Sequence, residues 1–172
     1  MSITQQEIID QAQMQDQSIN HLIQWGEHLS VGHPDIDAQH KEIYEFGAEI
    51  YDSWRDGVRI GELRLSTDKL LKLLRAHFTY EERLLAGIGY GALKQHVAEH
   101  RSMLKELQDM RDHFETVSDD DDSPGGSVLS PNWTVMRFIL GFALGHVLTS
   151  DMSYSQSLIA SQKASKPAEG GA

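Results

Sequence analysis

Cysteine is absent from this 172-residue chain. That removes disulfides and thiolate metal sites together, and leaves only nitrogen and oxygen donors for any ion. Nor does any stretch alternate apolar and polar residues as a half-buried strand does. Long hydrophobic runs are missing too: the most apolar stretch, 135–148, falls short of the roughly 20 residues a bilayer span requires and contains Arg137 and His146. Positive charge is scarce. With 15 Lys and Arg against 26 Asp and Glu, the formal net charge is −11, which argues against nucleic acid or an anionic membrane as the main partner, since both need a basic face. Residues 1–15 lack a basic start followed by an apolar segment. No secretory signal is read there, and a cytoplasmic location is expected.

What is present is helical periodicity, in a chain of ordinary hydrophobic (40%) and charged (24%) content. Ile8, Ala12, Ile19, Leu22 and Ile23 mark one side of an arm over 4–25. Pro34 breaks the pattern, and a helix over 36–54 follows the acidic Asp35 and Asp37. Gly57 and Gly61 indicate a loop over 55–61, and a second helix then runs to residue 86 through Leu63, Leu70, Leu71, Leu74, Phe78 and Leu85. Gly87, Gly89 and Gly91 turn the chain into a third helix, 92–117, with Leu93, Val97, Leu104 and Leu107 on its apolar stripe. The segment 118–130, SDDDDSPGGSVLS, is a linker, and Pro131 opens a fourth helix that extends to residue 158.

The expected architecture is therefore all-α: an antiparallel up-down four-helix bundle over 25–158, with an additional N-terminal helical arm over 1–24 and a disordered tail over 159–172. The arm's apolar face suits three roles: capping the bundle, forming a dimer seam, or docking on a protein partner.

Each of the four bundle helices carries would-be metal ligands: His40 on the first, His77 and Glu81 on the second, His96 and His100 on the third, His146 and Asp151 on the fourth. Residues four apart differ by about 40° around a helix, so His77 with Glu81, and His96 with His100, point the same way from stripes otherwise made of Leu, Val and Phe. A carboxylate among leucines is costly unless a cation pairs with it. His146 and Asp151, five apart, are separated by about 140° on a regular helix and share a face less well. A carboxylate reaching sideways between two ions would account for that spread.

Five imidazoles, two bridging carboxylates and a bridging solvent oxygen leave one position of two octahedral ions unfilled, which points to a functional rather than a structural site. Thiolate-free, nitrogen-rich ligation favours iron, then manganese or zinc. His21, His28, His33 and His113 fall outside the pattern and are expected in surface or partly buried roles.

The motifs IDAQH (36–40), HFTYEE (77–82), HVAEH (96–100) and HVLTSD (146–151) together resemble the hemerythrin family, in particular its bacterial hemerythrin-like domains, across residues 25–154. The resemblance implies two iron ions (Fe2+/Fe3+) with a bridging oxo or hydroxo group, and dioxygen bound at one of them. It implies that His96, His100 and His146 hold the saturated iron, that His40 and His77 hold the other, and that Glu81 and Asp151 bridge. Carriage, storage or delivery of oxygen follows. The alternatives are a sensor acting through a partner, or an enzyme consuming peroxide or nitric oxide. Phe142 stands where the family often has Trp, and Gly141 and Gly145 flank it. A loosely packed fourth helix and a wetter pocket are expected from those glycines.

Overall fold

The computed structural model describes residues 24–55, 59–116 and 131–165. The N-terminal arm as far as residue 23, the acidic linker and the last residues of the tail lie outside the described residues. After a single 3-10 turn at Glu27–Leu29 come α1 (Pro34–Arg55), α2 (Ile60–Gly87), α3 (Leu93–Phe114) and a fourth helix in three parts. Those parts are α4 (Pro131–Leu140), a π-helical segment (Gly141–Asp151) and α5 (Met152–Ser165). Among the described residues there is no strand, and no helix is long and apolar enough to cross a membrane.

Contacts between helix ends fix the up-down order. The Tyr80 hydroxyl, late in α2, donates to Asp35 at the start of α1 (2.6 Å). Arg64, early in α2, donates to the Phe114 carbonyl at the end of α3 (2.7 Å), satisfying a backbone acceptor that the helix terminus leaves unpaired. Ser150 donates to Glu99 of α3 (2.6 Å), and Gln162 reaches the Gly32 carbonyl before α1 (3.2 Å). The Tyr80–Asp35 and Arg64–Phe114 pairs each join one end of α2 to the opposite end of its neighbour, and Gln162 joins the end of the fourth helix to the loop before α1, as antiparallel packing requires.

Local chemistry explains the boundaries. Pro34 occupies the first turn of α1, where a missing N–H costs nothing. Asp37 folds back to accept from the Val31 amide (2.8 Å) and the Ser30 hydroxyl (2.7 Å). Glu62 reaches back to the Arg59 amide at the start of α2, so the helix begins at Ile60 rather than after Gly61. Gly89 ends the α2 turn with φ of +69°, a left-handed conformation that glycine adopts without strain.

The expected tail over 159–172 needs correction. The helix continues to Ser165 because Leu158 is buried, the Ile159 side chain packs against Gly32, and Gln162 is bonded to the loop before α1. The fourth helix thus closes over the start of the first.

The apolar core forms two clusters. The larger contains Ile43, Tyr44, Leu70, Leu74, Phe78, Leu107, Phe114, Val135 and Phe142 among others. The smaller is Val31, Ile36, Leu85, Tyr154 and Leu158. The seven inward histidines and acids lie toward the junction of the two: Phe78 and Val147, next to His77 and His146, belong to the larger cluster, and Leu85 and Tyr154, beyond Glu81 and Asp151, to the smaller.

Leu107 sits in the larger cluster fully buried. Its replacement by Ala deletes buried contacts and leaves a cavity, so urea denaturation of Leu107→Ala is expected to show a loss of about 2–5 kcal/mol. A loss under about 1 kcal/mol would mean that this end of the bundle is not a packed core.

Candidate metal centre

All seven residues singled out from the sequence are brought together. His40 comes from α1, His77 and Glu81 from α2, His96 and His100 from α3, His146 and Asp151 from the π segment, and none is more than 4% exposed. Every imidazole turns Nε2 inward. His40 Nε2 is 3.2 Å from both His77 Nε2 and Asp151 Oδ2. His100 Nε2 is 3.0 Å from His146 Nε2 and 3.1 Å from Glu81 Oε2. His96 Nε2 is 3.3 Å from Glu81 Oε2, and His146 Nε2 is 3.2 Å from Asp151 Oδ1. Metal–nitrogen bonds of about 2.0–2.1 Å at right angles set neighbouring donors about 3.0 Å apart, which matches this spacing.

The donors divide unequally. Glu81, His96, His100, His146 and Asp151 form one group, and His40, His77 and Asp151 form another. Asp151 belongs to both. Glu81 Oε2 also lies 3.8 Å from His77 Nε2, so both carboxylates face both halves.

The fourth helix achieves this through a departure from α geometry. In a π-helix each turn closes by an i→i+5 hydrogen bond, so residues five apart stack along one face. His146 and Asp151 therefore point together, and the sideways reach expected for Asp151 is not needed. Gly141 and Gly145 face outward, where an added Cβ would meet nothing within 4 Å. They border a surface cleft of about 330 Å³ shared with Glu99, Arg137 and His146. Phe142 is buried and sets its ring 6.4 Å from those of His40 and His77. The cleft reaches the ligand His146 and the edge of Phe142, while Phe142 and Phe78 pack their rings against the imidazoles on the inner side.

Burial governs the electrostatics. It pushes the His40 imidazole down to about 4 and that of His146 down to about 3, and it holds His77 well below the ordinary range. These rings are neutral near pH 7, the form that binds metals. Burial and the neighbouring Glu81 raise the Asp151 carboxyl well above its usual value. Burial also opposes ionisation of Glu81, but the close imidazoles of His100 (3.1 Å) and His96 (3.3 Å) prevail and keep it low. All four carboxylate oxygens of the pair lack a well-directed hydrogen bond, as does His96 Nε2. Two orphaned carboxyl groups packed together among buried imidazoles are a donor set that a cation would satisfy.

Several contributors were not read from the sequence. Glu82 accepts from His100 Nδ1 (2.9 Å), Gln39 accepts from His77 Nδ1 (3.0 Å), and Tyr154 packs its buried ring 5.5 Å from His96. Gln39 and Glu82 each adjoin a ligand in the chain, but spacing alone does not reveal which ring nitrogen they serve. The half-buried Trp25 rests against His40 and Tyr44.

Fold and site together define a class: an up-down helical bundle built around an internal cation-binding centre. The hemerythrin HHE cation binding domain matches residues 31–151, and the chain belongs to the hemerythrin family. A bacteriohemerythrin of Clostridium acetobutylicum is 24% identical over 133 residues, 76% of this chain and 96% of its own length. One from Campylobacter jejuni subsp. jejuni serotype O:23/36 is 28% identical over 82 residues, covering 48% of this chain and 62% of that protein.

The metal-free protein should lose stability in acid. His40, His77 and His146 are held neutral by the fold, with values below the ordinary 6.5. Their contribution is intact above pH 6.5 and disappears as pH falls toward 4 and 3. Asp151, with its raised value, acts in the opposite direction, but it is one group against three. The urea midpoint of the metal-free chain is expected to fall steadily from pH 7 to pH 4; a flat profile would contradict the buried, neutral state of these rings.

Proposed function

We propose that the chain holds a pair of iron ions and reversibly binds dioxygen at one of them, serving as an oxygen carrier, store or delivery protein. The observation that supports this most is the unequal division of donors. His96, His100 and His146, with both carboxylates, can surround one ion fully. His40 and His77 with the same carboxylates leave the other with room for a small guest. When bound, such a pair supplies dioxygen with electrons from two metals and takes them back on release.

The chain's own residues would do the rest. Glu81 and Asp151 bridge the two halves and set their separation. Five neutral imidazoles keep the ions Lewis acidic, a setting that favours reversible binding over strong oxidation. Trp25, Phe78 and Phe142 lie against the two-imidazole half and exclude water from it. None of the seven ligands has to act as a general acid or base, which supports a binding protein rather than an enzyme.

The direct test is metal analysis with an absorption spectrum taken before and after exposure of the reduced protein to air. About two irons per chain and a visible band that appears with dioxygen and fades under argon are expected. His77→Ala should fall toward one iron and lose the band. A band of full strength in that variant would contradict the assignment.

A further inference from the structure

Each inward-pointing imidazole has a second ring nitrogen, and the partner of that nitrogen controls how strongly the first one donates. The partners here are not alike. His100 Nδ1–H donates to the Glu82 carboxylate at 2.9 Å. His146 Nδ1 faces a second carboxylate, Glu99, at 3.9 Å, held in place by the Ser150 hydroxyl. His77 Nδ1–H donates to a neutral amide oxygen, that of Gln39, at 3.0 Å. His40 Nδ1 is buried and has no hydrogen-bond partner among the described residues. Anionic groups thus stand within 4 Å behind two imidazoles of the three-histidine half, and among the described residues none stands that close behind either imidazole of the two-histidine half, the charge of Asp37 reaching His40 only from farther away.

We propose that this unequal backing grades the two halves in affinity, so that a divalent cation fills the His96–His100–His146 half first and the His40–His77 half second. Glu82 is the positioning residue of the tight half and Gln39 that of the weak half. The proposal rests on the two-ion reading given above.

The chemistry is that of a carboxylate–histidine–metal chain. An imidazole whose N–H donates to a carboxylate carries more electron density at its free nitrogen and is fixed in tautomer and ring orientation. The Gln39 amide fixes tautomer and orientation alike but adds no charge. The half that carries extra negative charge thereby binds a dication more strongly. The other half stays weaker in binding and more electron-poor, as suits the ion meant to accept a guest.

Donor number alone would also grade the halves, so the test must change charge while leaving every ligand in place. The metal-free full-length chain is titrated with Co2+ by calorimetry, and the cobalt absorption is followed in parallel. The parent chain should bind two ions in two resolved steps. Glu82→Gln keeps a hydrogen-bond acceptor for His100 but removes the charge, and should weaken the first step about 10–100-fold while leaving the second in place. Gln39→Glu should strengthen the second step by a comparable factor and narrow the gap. Urea midpoints of the metal-free variants, unchanged from the parent, would show that folding is not the cause. Variants that leave both constants unchanged, or that shift both steps equally, overturn the proposal. A parent chain that takes up a single ion overturns the two-ion reading, and the proposal with it.

Discussion

The constraint on which this structure depends is a buried layer of like and unlike charges across the middle of a helical bundle. Glu81 and Asp151 face each other with fully buried carboxyl groups, ringed by five buried imidazoles, of which burial keeps His40, His77 and His146 from carrying charge. Without a cation the two carboxyl groups repel, and the positive charge that could offset them is suppressed by the same burial. The layer divides the apolar core into two clusters that do not merge. The layer contributes little hydrophobic contact of its own, and its buried donors suit cations, which would satisfy the carboxyl groups and add to the stability of the folded chain.

Other features follow from that demand. Seven side chains must reach one small volume from four helices, and an α-helix cannot present His146 and Asp151 together. The fourth helix therefore widens to π geometry over Gly141–Asp151. The widening is tolerated because Gly141 and Gly145 face open space, while Phe142 and Val147 stay buried on the inner side. The helix recovers α geometry at Met152 and anchors itself through Leu158 and Gln162 near the start of α1.

Much of this was legible in the sequence. The helices appear within a few residues of where periodicity and glycine punctuation set them, because their buried stripes are long and regular. All seven inward residues were identified because they fall one or two to a helix in four motifs, His77, Glu81, His96 and His100 on such stripes as well. Two misreadings have clear causes. The end of the fourth helix looked like a polar tail because its anchoring contacts, Ile159 on Gly32 and Gln162 to the Gly32 carbonyl, reach more than a hundred residues back along the chain. The angular relation of His146 to Asp151 was misjudged because an α repeat was assumed. The five-residue interval between two inward polar residues was itself the sign of a π turn. Gln39 and Glu82 escaped notice for another reason: they act through the far nitrogen of a neighbouring helix's histidine, a relation visible only once the helices are packed.

The central claim is that two cations, unequally coordinated, occupy this layer. The most direct measurement is a crystal structure of the iron-loaded protein with anomalous data collected at the iron edge. Two iron peaks are expected inside the ring of Nε2 atoms, bridged by Glu81 and Asp151, with protein donors filling one ion more completely than the other. A single peak enclosed by His96, His100, His146 and Glu81, with His40 and His77 unligated, would contradict the account.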